Sequence, residues 1–231
     1  MSETKQCMKL RLTDEKPSIF GSKAGGLGYL PHEMDVPTNK LGNQLRLLIQ
    51  INCSDVELDN FPKQGLLQFW ILNDSMAGLG FDDPTDQEGF RIVYHPFIDE
   101  TVTEMELTFK VFGNPFDDEE AFPIKGEFAV EMTAAEENSD DYSDEDSLMS
   151  GHKIGGFPLL TKNDPRRDND YHDFLLLQLD SDFVSDLDQN GKYIFREKVM
   201  WGDAGTAEFF INREALKLLD FSDVIYHWDN T

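Results

Sequence analysis

Apolar residues along this chain fall in short, bounded runs and not in the long 3.6-residue spacing of amphipathic helices. Residues 9–12 alternate, as a half-buried strand does, and Lys16-Pro17-Ser18 marks a turn. Gly25-Gly26, Pro31 and Pro37 predict an irregular stretch after it. Residues 45–51 form a continuous apolar run, the pattern of a strand buried on both faces, and residues 66–72 and 90–94 predict the next strands. Residues 101–112 and 126–132 alternate, as antiparallel strands with one wet face do. Residues 174–179, 207–211 and 224–228 are further strands, and Asn212 offers a cap to a helix over 213–219. The expected fold class is α+β, strand-rich, with antiparallel or mixed sheets and few helices.

The pattern repeats. Ser22-Lys23-Ala24-Gly25-Gly26 returns as His152-Lys153-Ile154-Gly155-Gly156, and Leu47-Leu48-Ile49-Gln50-Ile51 as Leu175-Leu176-Leu177-Gln178-Leu179. Gly65-Leu66-Leu67-Gln68-Phe69-Trp70-Ile71 returns as Gly205-Thr206-Ala207-Glu208-Phe209-Phe210-Ile211, and Ile92-Val93-Tyr94-His95 as Val224-Ile225-Tyr226-His227. Blocks recurring in one order imply an internally duplicated, pseudo-symmetric domain over residues 1–231, with repeats at about 9–132 and 150–231. In this reading the strands at 101–112 and 126–132 have no counterpart in the second half. The acidic run 136–146 reads as a mobile linker between the copies, or as an acidic docking segment.

Composition narrows the classes. The net charge is −25, which opposes binding to nucleic acid or an anionic membrane and favours basic protein segments or metal cations. No apolar run is long enough to span a bilayer and the N-terminus lacks a secretory pattern, so a cytoplasmic location is expected. Cys7 and Cys53 make no disulfide framework and no C-x-x-C pair; both read as reduced thiols.

Candidate chemistry is sparse. Lys23 with Gly25 and Gly26, and Lys153 with Gly155 and Gly156, can cradle an anion or form tight turns where backbones pack closely. Neither phosphate-loop nor dinucleotide spacing is present. Tyr94-His95 and Tyr226-His227 end strands; the histidines could bind a metal or move protons, or be structural. Trp201-Gly202-Asp203-Ala204-Gly205 is a loop that lines a pocket or turns a hairpin under a tryptophan lid. Asp186, Asp188, Asn190, Lys192 and Glu197 match the calcium-loop spacing, with Gly191 at the sharp turn, while Tyr193-Ile194-Phe195 reads as strand and favours a polar hairpin instead. No nucleophile elbow or cysteine-protease signature occurs.

The segments SKAGGLGYLP, LLIQINCSDV, GLLQFWIL, RIVYHP, HKIGGFPLLTKNDPR, FLLLQLDSD and MWGDAGTAEFFINREALKLLDFSDVIYHWD resemble the YwqG-like bacterial family, a domain of unknown function, across nearly the whole chain. Gly28 stands where that family usually has proline, and residues 183–198 look like an enlarged family loop. The lysine, paired glycines and later glutamine run are also distantly similar to the programmed cell death protein two family, chaperones of a nascent ribosomal protein. That resemblance implies a polypeptide-binding or chaperone-like module, and the acidic charge favours basic partners. The expected reading is a non-enzymatic binding protein with a groove at the matched loop and strand-end positions Lys23, Gly25, Gly26, Tyr94, His95, Lys153, Gly155, Gly156, Tyr226 and His227, with Trp201 and Asp203. The alternatives are an immunity or antitoxin-like protein whose acidic surface neutralises a basic effector, and a hydrolase-like enzyme using Asp203 and His227.

Overall fold

The computed structural model describes residues 2–80, 82–113, 122–142, 149–160, 162–166, 170–187 and 190–230. Ten strands build one sheet: β1 (Thr4–Thr13), β2 (Lys23–Ala24), β3 (Arg46–Asn52), β4 (Leu66–Ile71), β5 (Phe90–His95), β6 (Phe128–Asn138), β7 (His152–Gly155), β8 (Phe174–Asp180), β11 (Thr206–Ile211) and β12 (Val224–Asp229). Strands β9 (Asp182–Leu187) and β10 (Tyr193–Val199) form a separate two-stranded ribbon. Among the described residues the α-helices are α1 (Glu104–Lys110) and α2 (Arg213–Lys217). The sheet runs β12-β11-β8-β7-β1-β6-β2-β3-β4-β5, antiparallel at each ladder, and curls into a nearly closed barrel. The expected strand-rich α+β class is the one observed.

The order has a pseudo-twofold centre between β1 and β6. These two long strands pair along their whole length, from Thr4 opposite Asn138 to Thr13 opposite Ala129. β1 then pairs with β7 of the second half, and β6 with β2 of the first. The strand leading each repeat therefore completes the other repeat's sheet. The quartets β2-β3-β4-β5 and β7-β8-β11-β12 correspond even in their irregularities, since the register slips at Leu48 in β3 and at the matched Leu176 in β8.

Three sequence expectations change. The segment 126–132 has its counterpart in β1 and not in the second half, because it opens β6, which leads the second repeat as β1 leads the first. The segment 101–112 is not a strand: Thr103 caps α1, its Oγ1 accepting from Glu106 N at 3.3 Å. Of its alternating apolar residues Leu107 is buried while Met105 and Phe109 face solvent, so alternation there was not a buried face. The acidic run 136–146 begins as strand: Glu136, Glu137 and Asn138 end β6, one 3-10 turn follows over Ser139–Tyr142, and 143–148 lie outside the described residues.

The fourth sequence block matches out of register. Gln68 pairs with Val93 and Glu208 with His227, so His227 corresponds to Val93, and Tyr94-His95 to Trp228-Asp229. The Tyr-His likeness is not a structural equivalence.

The inner faces of the two halves pack on each other. Phe69 of β4 meets Phe209 of β11 at 4.9 Å between ring centroids, and Phe209 stacks on Tyr226 at 4.6 Å. The outer face of the first half carries its own core of Tyr29, Leu47, Leu66, Trp70, Val102 and Leu107. The outer face of the second half buries much less, around Leu175, Phe210 and Ile225. The edges β5 and β12 are bridged by residues 83–87, where Tyr226 N donates to Pro84 O (2.9 Å) and Gln87 Nε2 to Phe221 O (2.7 Å). Phe209 sits where the halves meet, so Phe209→Ala is expected to cost about 3–5 kcal/mol in urea unfolding, with one transition retained.

Candidate functional site

The repeated Lys-x-Gly-Gly blocks build matched clasps inside the fold. Lys23 of β2 faces Gln50 of β3, and Lys153 of β7 faces Gln178 of β8. Gln50 Nε2 donates to Ile19 O and Gly21 O, and its Oε1 accepts from Tyr29 N. Gln178 does the same with Met149 O, Gly151 O and Leu159 N. Each glutamine thus pins the loops entering and leaving the lysine strand.

Both lysines are fully buried and ion-paired to carboxylates that come from β6 or the residue before it. Lys23 pairs with Glu127 and donates to Leu27 O at 2.8 Å. Lys153 donates to Glu137 at 2.9 and 3.1 Å and to Met149 O at 2.8 Å. A Cβ at Gly26 would collide with the Glu127 carboxylate, and one at Gly156 with that of Glu137. Gly26 and Gly156 also hold positive φ, as do Gly25 and Gly155. The glycine pairs do cradle an anion, but it is the protein's own carboxylate. Burial lowers the Lys153 ammonium to about 8 against the pull of Glu137, and lowers Lys23 likewise. Burial pushes Glu137 up, but Lys9, the Phe157 N–H and Lys153 hold it below the ordinary glutamate value.

The remaining sequence candidates are dispersed. Tyr94 donates to Gln64 O, and His95 is buried against Gln68 Oε1 at 3.1 Å, with burial pushing it down to about 4. Tyr226 is core, donating to Ala77 O at 2.8 Å. Trp201 is buried beside Trp228, while Asp203 is exposed in the turn after it and does not line the His227 cleft. The structure does not gather these residues into one groove. The calcium-like segment is the β9–β10 hairpin, with Asp186 opposite Ile194 and Glu197 opposite Phe183, so Glu197 lies along the ribbon away from the Asn190 and Lys192 tip. Asp188 lies outside the described residues. Among the described residues no group of three or more His, Cys, Asp or Glu is placed to hold a metal. Cys7 and Cys53 are free and buried, and burial drives the Cys53 thiol up to about 12.

The copies diverge in charge at the matched pair Gln68 and Glu208. Gln68 is saturated: its Nε2 donates to Tyr29 O and Gln50 Oε1, and its Oε1 accepts from Trp70 Nε1 and His95 Nε2. Its counterpart Glu208 is 1% exposed, and its Oε1 has no hydrogen-bond partner. Burial, then the carboxylates of Asp229, Asp180 and Asp164, push Glu208 up to about 9, so it is protonated at neutral pH. Its cross-strand neighbour His227 also has a buried Nε2 without a hydrogen bond, 3.5 Å from Asp229 Oδ2. His227 and Asp229 line a cleft of about 680 Å³ together with Met76, Leu79, Gly80, Pro84, Asn163, Asp164 and Pro165; Glu208 does not line it. Sequence reasoning aligned Gln68 with Glu208 but passed over the exchange; an acid replacing an amide inside an apolar strand was the signal.

The folded chain holds a proton on Glu208 that the unfolded chain has released, so this group lowers stability as pH rises from about 4.5 towards about 9. Glu208→Gln is expected to gain on the wild type by roughly 1 kcal/mol per pH unit between pH 5 and 8, read by urea unfolding at each pH. Other titrating groups cancel in that difference.

No helix among the described residues is long and apolar enough to cross a membrane. No curated protein is matched by the sequence. Residues 22–230 match the family model described as Domain of unknown function (DUF1963), and the chain belongs to that family.

Proposed function

We propose that this protein is a non-enzymatic, chaperone-like module that binds basic, extended polypeptide segments. The observation that carries the reading is the β9–β10 ribbon. Alternation along its two strands puts Phe183, Leu187, Tyr193 and Phe195 on one face, and all four are exposed. Exposed apolar patches of this kind mark protein contacts on soluble domains. The base of the ribbon is tied to the rest of the fold by a bridge between Ile124 and Val199, by Lys198, whose carbonyl accepts from Lys125 N and whose ammonium donates to Leu12 O, and by the Arg196–Asp14 and His152–Asp182 ion pairs. Among the described residues the ladder of β9 and β10 has no third strand beside it beyond the Lys198–Val199 base, and such an edge can accept an extended peptide. The charge of −25 selects basic segments and speeds their encounter. The distant resemblance to the programmed cell death protein two family supports the same reading.

Calorimetric titration with a blocked peptide alternating valine and lysine, and with its glutamate counterpart, tests this. The basic peptide is expected to bind, more weakly as salt rises, and the acidic one not to bind. Tyr193→Ser combined with Phe195→Ser is expected to weaken binding about tenfold or more while leaving stability within about 0.5 kcal/mol. Equal binding of both peptides, or unchanged binding by the double variant, would contradict the proposal.

A further inference from the structure

The long strand β6 is paired along one side and, on the other, only at its start. Toward β1 it runs in register from Ala129 to Asn138 without a bulge. Toward β2 the ladder covers Phe128 and Ala129 and ends where Val130 N donates to Ser22 O at 3.0 Å. Backbone groups of successive strand residues point to opposite sides in the plane of the sheet. Met132, Ala134 and Glu136 therefore present N–H and C=O on the side of Val130, beyond the reach of β2. Among the described residues no strand, turn or side chain bonds these groups, so an open edge lies inside the ten-stranded sheet and not only at its β5 and β12 ends.

The matched edge of the other half is occupied. Lys23 stands opposite Ala129 and Lys153 opposite Lys9, so Met132 corresponds to Leu12. Leu12 O accepts from the buried Lys198 ammonium at 2.9 Å, and Lys198 belongs to the base of the ribbon. The first half has no ribbon to deliver such a donor to Met132. Residues 131–136 also lack the proline, lysine or bulge that commonly blunts an edge. Thr133, Ala134 and Glu136 are exposed and Ala135 is half-buried, and the small side chains leave room for a neighbouring strand.

Charge around the edge specifies what it accepts. Glu131 is already neutralised by Arg11. Glu136 is exposed and accepts from the neutral Gln6 amide, which leaves its charge in place. Asp55, exposed at the end of the 3-10 turn Cys53–Asp55, accepts from Ser22 Oγ at 2.8 Å. A second carboxylate without a cation thus stands where β2 stops. A further copy of this chain, with a net charge of −25, would bring the same acid groups to the edge and be repelled, whereas a strand with basic ends is attracted.

We propose that the β6 edge from Met132 to Glu136 takes a basic, extended polypeptide segment as an added antiparallel strand continuing the line of β2. The segment's backbone bonds Met132, Ala134 and Glu136. Its lysine or arginine side chains stand beside Glu136 at one end and Asp55 at the other. Small or β-branched residues between them lie beside Thr133, Ala134 and Ala135. This seat is separate from the ribbon and does not depend on it.

Residue-resolved amide exchange of the full-length protein, with and without a blocked Lys-Thr-Val-Thr-Lys peptide, tests the seat. In the free protein the Met132, Ala134 and Glu136 amides are expected to exchange fast, while Thr133 and Ala135, bonded to β1, are protected. Saturating peptide should slow exchange at Met132 and Ala134 by about tenfold or more, and a Glu-Thr-Val-Thr-Glu peptide should not. Ala134→Pro removes one outward N–H and leaves the β1 ladder intact, so it should fold yet abolish the protection. Glu136→Lys, a milder change, should weaken peptide binding roughly tenfold. Protection of Met132 and Ala134 in the free monomer, no response to the basic peptide, or an equal response to the acidic one overturns the proposal. So does a dimer in sedimentation that Ala134→Pro dissociates, which would give the edge to a second copy. In the Tyr193→Ser, Phe195→Ser protein the β6 amides should respond as in wild type, so the ribbon and edge readings fail independently.

Discussion

The antiparallel pair β1–β6 is the constraint on which the rest of the structure depends. Each of these strands leads one repeat and is hydrogen-bonded into the sheet of the other. Neither quartet of strands can close its inner edge alone, and an unpaired edge is costly or sticky. The exchange also brings the carboxylates to the lysines: Glu127 lies just before β6 and Glu137 near its end, each reaching a buried lysine on a different half. A buried lysine left without its carboxylate would be strongly destabilising, so correct pairing of β6 and neutralisation of both lysines are one event. The interface of Phe69, Phe209, Phe90 and Tyr226 then forms between halves already tied together.

Within this frame the duplication separates structure from chemistry. Positions kept in both copies, Lys23 and Lys153, Gln50 and Gln178, and the paired glycines, are consumed by internal hydrogen bonds. Positions that differ are those left open. The first half covers its outer face with α1 and residues 19–45, whereas the thinner cover of the second half leaves the cleft at His227 and Asp229. The ribbon β9–β10 interrupts the second quartet between β8 and β11, where β3 and β4 of the first are joined without one. Asymmetric additions on a symmetric scaffold are where binding is read.

Much of the fold was legible in the chain because its strands are short apolar runs with matched copies. Lys23-Ala24-Gly25-Gly26 and Lys153-Ile154-Gly155-Gly156 located the clasps, though neither the glutamines Gln50 and Gln178 nor the carboxylates that complete them. The segment 101–112 misled because Met105, Leu107, Phe109 and Val111 alternate, and the cap at Thr103 outweighs that pattern. Glu137 was hidden in an acidic run whose composition reads as solvated, yet its carboxylate is buried by Lys9, Lys153 and the Phe157 N–H. Long-range pairing of this kind leaves no local mark. The same holds for the shift in the last strand, where a Tyr-His likeness aligned better than the true ladder of Gln68 with Val93 and Glu208 with His227.

Native-state hydrogen exchange tests the central claim most directly. If the exchanged strands make the two halves one unit, the amides of Leu67 and Phe69 in β4, of Phe209 and Ile211 in β11, and of Leu10 in β1 should share one opening free energy, equal to that of global unfolding. Separate opening energies for β4 and β11, with β1 following only one of them, would contradict it.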